Sequence, residues 1–195
     1  MLHLGDLELA LPLAAALATW LLAAGAWRTA LRWSLSFGTA VLMVGSSKIA
    51  FLGWGTGMAA LEFKAISGHA TVVAALYPMV GWVLLVRQGP VAARVALAGG
   101  MTLAAMIAAL LVIDNEHSSA EAVSGWLLGA AVSLAGVAWS GDLRTARPLT
   151  GVWWSLPVFT IGAWLMQFAS VGDWMVRLAL ALSGNSHPHA WDACG

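Results

Sequence analysis

The sequence predicts an all-α, polytopic membrane protein with six transmembrane helices in one domain, residues 1–195, and three observations predict it. Of the 195 residues, 61% are hydrophobic and only 9% charged, against about 25% charged in a soluble domain. The few charges cluster, leaving apolar stretches close to the roughly 20 residues a spanning helix needs. The basic residues also concentrate in alternate connections between those stretches.

Taken in order, the expected spans are 9–27, 30–52, 68–87, 93–113, 119–140 and 150–170. The first has no basic segment ahead of it, so it is read as a span and not as a cleaved signal peptide. The second is interrupted only by Arg32, near enough to one end to snorkel toward headgroups, before it reaches Lys48. Gly53-Trp54-Gly55-Thr56-Gly57 closes it. Gly89-Pro90 breaks the chain before the fourth span and Arg147-Pro148 before the sixth. Over 171–183, Trp174, Met175, Leu178 and Leu182 recur at helical spacing around Asp173 and Arg177, which predicts a helix lying on the membrane surface. The polar tail 184–195 is expected to be loose, and its His187-Pro188-His189 is assigned no function.

Alternating spans place the loops 26–33, 87–94 and 141–150 on one face. They hold Arg28, Arg32, Arg87, Arg94, Arg144 and Arg147, six of the nine basic residues, and so mark the cytoplasmic side. Lys48, Lys64 and Arg177 fall on the other face, with every acid except Asp142. Trp27, Trp33, Trp54, Trp139, Trp153 and Trp174 near the span ends fit interfacial belts. In a bacterial inner membrane the second face is periplasmic and carries both termini.

Several function classes drop out. A net charge of zero leaves no electrostatic footprint for nucleic acid. The one cysteine, Cys194, excludes an intrachain disulfide. No charge stands in mid-span, where a transport pathway would need one. A protein partner or homo-oligomer stays open.

Chemistry-bearing residues converge on the outer face. Lys48 ends the second span, Ser67-Gly68-His69 opens the third, and His117 with Glu121 opens the fifth. Two helix N-termini with free N–H groups are seats for an anion, phosphate above all. Lys48 and Lys64 add positive charge. His117 and Glu121 are four apart on one helical face, so the carboxylate can hold Nδ1–H and leave Nε2 free to attack, with His69 to protonate a leaving group. Each residue also has a plain structural reading. Ser118-x-x-Glu121 is a capping box, Ser67 can simply start a helix, an interfacial histidine can be solvated, and Lys48 can anchor a span end.

Ile66-Ser67-Gly68-His69-Ala70, followed by His117-x3-Glu121-x2-Ser124-Gly125, resembles the type 2 phosphatidic acid phosphatase (PAP2) superfamily. The resemblance covers about Lys48 to Gly129. It implies a six-helix lipid phosphate or pyrophosphate hydrolase that works through a phosphohistidine and needs no metal or cofactor. It implies His117 as nucleophile, Glu121 in place of the orienting aspartate, and His69 as general acid. Lys48, Ser67 and Gly68 would be phosphate ligands, with Lys64 able to add charge from the loop. Gly55 stands where the first motif has arginine, Leu110-Leu111 where the third has Ser-Arg, and Ile66 where the second has proline. Both arginines that clamp phosphate are thus absent from their expected positions. The alternative is a catalytically degenerate member that binds a lipid headgroup or serves as an assembly subunit.

Overall fold

A computed structural model describes residues 7–146 and 148–189 of the chain. Asp6, Arg147, Asp192 and Cys194 lie outside the described residues, as does the tail beyond His189. Among the described residues seven α-helices follow one another: α1 Leu7–Ala23, α2 Trp27–Trp54, α3 Gly68–Leu85, α4 Pro90–Ile113, α5 Ser119–Ala138, α6 Pro148–Met166 and α7 Val171–Ser183. Among the described residues no strand forms beyond one isolated bridge, Met58 with Phe63.

The boundaries follow local chemistry. Gly55 ends α2 in the left-handed conformation, its N–H returned to the Phe51 carbonyl. The hydroxyl of Ser67 caps α3 by accepting from the Ala70 N–H. Pro90 opens α4 at a position where its missing N–H costs nothing. Ser118 and Glu121 cap α5 reciprocally.

Helices α2, α3, α4 and α5 are long and apolar enough to cross a membrane. The described part of α6 and α7 qualify together as a fifth, though the pair is bent by 59° at its break, while α1 is apolar but shorter. Of the six spans expected, the structure therefore supports four outright and a fifth as a bent pair. The bend falls where the sequence separates the last span from the surface helix. Large apolar side chains point outward along the bundle, among them Leu103 and Met106 on α4 and Trp153, Ile161 and Trp164 on α6. An outward surface this apolar suits lipid better than water.

Helix α3 is the central element, buried along most of its length and flanked by α4 and α5. Two glycines one turn apart, Gly125 and Gly129, let α5 lie directly on it. A Cβ at Gly125 would run into the Ser67 carbonyl, and one at Gly129 into the Thr71 carbonyl. Small residues four apart permit close backbone approach between helices where lipid supplies no hydrophobic drive. The Ser67 N–H also donates to the Glu121 carbonyl, at 3.2 Å. These contacts align the N-termini of α3 and α5, and so fix where His69 and His117 can be.

The opposite end of the bundle is tied by Asp142, in the 3-10 turn that follows α5. It accepts the Arg28 N–H, at 3.1 Å, and the Thr29 N–H, at 3.3 Å, and also the Thr29 hydroxyl. Trp82 donates to Ser140 and Arg87 to the Ala146 carbonyl at the same end.

One expectation is corrected. The start of the tail is not loose: Asn185 Nδ2 donates to the Gly53 carbonyl at 2.7 Å, and the His189 N–H to the Leu52 carbonyl at 3.0 Å. The final carbonyls of α2 have no partner within their own helix, and this returning segment supplies one for each of these two.

Candidate active site

Glu121 is the hub of the site. It is 3% exposed, at the third position of α5. Oε1 accepts the N–H groups of Lys64, at 2.9 Å, and Ala65, at 3.3 Å. Oε2 accepts the Ser118 N–H at 3.2 Å and lies 2.9 Å from His117 Nδ1. Cap and orienting acid, two readings of Glu121 that the sequence allows to coexist, are here one carboxylate doing both through the same oxygen.

His117 is held from two sides. Asn115 takes the left-handed conformation, φ 56°, that turns the chain back over the end of α4. The His117 N–H then reaches the Leu111 carbonyl at 3.2 Å. With Glu121 accepting from Nδ1, the neutral ring keeps its lone pair on Nε2. Burial pushes the His117 pKa below the ordinary 6.5. Glu121 opposes this through its hydrogen bond and charge, while Lys48 and His69 add to the lowering. A neutral ring with a free Nε2 is the form that can act as nucleophile or base.

His69, in the first turn of α3, is the neighbour of His117, with ring centroids 6.0 Å apart and planes at 57°. Lys48 reaches the same region, since a Cβ built on Gly68 would lie 3.9 Å from its Nζ. The structure thus brings Lys48, Gly68, His69, His117 and Glu121 together from α2, α3 and the start of α5.

The other two candidates take different settings. Ser67 is wholly buried, 0% exposed, its hydroxyl occupied as the α3 cap. It shapes the first turn from behind and offers no side chain to a ligand. Lys64 lies in the connecting loop, where its backbone N–H grips Glu121. Its side chain lines a polar cavity of about 300 Å³ together with Glu62, Asn115, Glu116, His117 and Glu121.

Some supporting residues escaped the sequence reading. The Lys64 and Ala65 amides and the Ser47 hydroxyl, which accepts the Ile66 N–H at 3.1 Å, act through backbone geometry that carries no residue-type signal. Gly125 and Gly129 had one, a small-x3-small spacing inside an apolar helix.

At Gly55, where the resemblance calls for arginine, a Cβ would lie 3.2 Å from the His189 ring. At Leu110-Leu111, Leu110 is exposed and Leu111 is buried.

No family model matches the chain, and no solved structure does. A protein described as an uncharacterized 22.5 kDa protein in the cps region of Klebsiella pneumoniae is 38% identical to it over 130 residues, 66% of this chain. The match spans 62% of that relative's length.

Proposed function

We propose that the chain is a six-span, PAP2-like phosphatase of the bacterial inner membrane that hydrolyses a lipid phosphate or pyrophosphate at its periplasmic face. The observation that carries this reading is the His117–Glu121 pair at 2.9 Å with the His69 ring 6.0 Å away. In the proposed reaction the substrate phosphate sits at the start of α3, on the amides of its first turn and beside Lys48. His117 Nε2 attacks phosphorus and the P–O bond to the lipid breaks. His69, entering as imidazolium, gives its proton to the leaving oxygen. Water then attacks the phosphohistidine, the P–N bond breaks, and neutral His69 takes the proton the water gives up. Glu121 holds the His117 tautomer throughout and offsets the positive charge that grows on the ring.

A second reading, a headgroup-binding or assembly subunit without turnover, is favoured by Gly55 and Leu111 at the two clamp positions. Bidentate arginine contributes geometric as well as electrostatic hold on a phosphate.

Phosphate release from a panel of lipid phosphates by purified protein separates the two. The expected result is turnover by the wild type and at least about a 10³-fold loss in His117→Ala. Equal rates in the two proteins, or none in either across the panel, would end the phosphatase reading. Ligand-dependent thermal stabilisation that survives His117→Ala would favour the second.

A further inference from the structure

Beside the histidine pair runs an apolar furrow of about 390 Å³ between α2, α3 and α7. Its walls include Val41, Gly45 and Ile49 of α2, Val72 of α3, and Met175 and Leu178 of α7. Among its lining residues Lys48 is the one that carries charge, and Lys48 and Gly68 border it where His69 begins. From Lys48 back to Val41 it follows α2 for about 10 Å. The residue closest to the chemistry is thus a cation, and the rest of the lining is apolar apart from Ser46 and Thr71.

We infer that this furrow seats the hydrocarbon chain of an anionic single-headed lipid whose phosphate lies at Lys48, and that Gly45 keeps it open. The inference rests on the phosphatase reading for what happens to the phosphate, but not for what binds. A second apolar furrow, about 270 Å³ between α4 and α5, is lined by Ala105, Ala108, Val112, Ala122 and Trp126 among others, with no charged residue. It offers no seat for an anionic head, so charge decides between the two.

Gly45 has the required geometry. A Cβ there would meet nothing within 4 Å, and the residue lines the furrow. A Cβ at 45 therefore meets no other protein atom, on the same face of α2 as the furrow-lining Val41, Lys48 and Ile49. Glycine inside a helix is less favourable than alanine, and α2 carries that cost where a side chain would occupy the seat. A chain entering from the bilayer moves from one apolar medium to another, so hydrophobic energy gained is small. What the furrow supplies is alignment, holding the phosphorus against the histidine pair.

The test is a graded series, Gly45→Ala, Gly45→Leu and Gly45→Phe, read as the ratio of kcat/KM for hexadecyl phosphate to that for phenyl phosphate. The ratio does not depend on the fraction of protein that folds. It is expected to fall with side-chain volume, by about tenfold or more at Phe. A ratio constant through the series would overturn the proposal. In parallel, wild type is photolabelled with an alkyl phosphate carrying a diazirine on its chain, with hexadecyl phosphate as competitor. Labels on 41–49 and 171–178, competed by the phosphate and weakened in Gly45→Phe, are expected. Labels spread evenly over the lipid-facing helices and indifferent to competitor would overturn it. Absence of turnover on every substrate, with the competed label still in the furrow, would remove the phosphatase reading and leave the lipid seat standing.

Discussion

The two ends of the bundle are built with the same device and used differently. At each, one carboxylate accepts N–H groups at the start of a helix. Asp142 does so for α2 from a distant turn, and Glu121 does so for α5 from within it. Asp142 completes its set with the Thr29 hydroxyl, a group that does not titrate in the working range. Glu121 completes its set with His117, a ring that does, on the edge of a polar cavity. A capping carboxylate is therefore not in itself a sign of chemistry. The partner it holds decides, and so does the space that partner faces.

The largest effect that sharpens this comparison is expected from Glu121→Gln. The glutamine amide would donate to Nδ1, forcing the proton onto Nε2 and removing the lone pair that attacks in the proposed reaction. A loss in kcat of about 10³-fold is expected, read by phosphate release. The acid limb of kcat/KM gives the sign of the accompanying pKa change. In the wild type it should fall below pH 6.5, because burial lowers the His117 pKa further than Glu121 raises it. The variant loses both influences that raise the pKa, so its limb should move to still lower pH. A limb that stays in place would show that another group controls it.

Much of this was legible beforehand because it rests on residue type and spacing. Charge-poor stretches located the long helices, Ser67 and Ser118 marked two helix starts, and His117 with Glu121 four apart defined a contact that the structure places at 2.9 Å. What the sequence hid depends on tertiary placement. The Lys64 and Ala65 amides are invisible as donors until the loop folds over Glu121. Ser67 read as a ligand because its motif did, yet close packing beneath Gly125 turns its hydroxyl into an internal cap. The polarity of 184–189 suggested a loose segment, and it is exposed, but Asn185 Nδ2 and the His189 N–H answer open carbonyls of α2.

A smaller and purely structural effect is expected at the other end. Asp142→Ala removes the acceptor for the first amides of α2 and should cost about 1–2 kcal/mol. In detergent this would lower the thermal midpoint by about 2–4 °C per kcal/mol, while kcat per folded molecule stays at the wild-type value. A matching collapse of kcat would erase the contrast between the two carboxylates.

The smallest effect should come from the tail. Asn185→Ala leaves the Gly53 carbonyl without its side-chain donor, but the bond joins exposed and partly buried groups where water can replace it. About 0.5–1 kcal/mol is expected, seen as a slight fall in thermal midpoint and as faster amide exchange or proteolysis over 184–189. Because Gly53 also packs against Ala179 and Ser183 of α7, the helix itself should stay docked on α2 when the tail loosens. If α7 exchanges as fast as the tail in this variant, one hydrogen bond anchors the whole C-terminal arm. The wall that α7 lends to the lipid furrow would then depend on the tail, and the furrow's substrate preference should weaken in parallel.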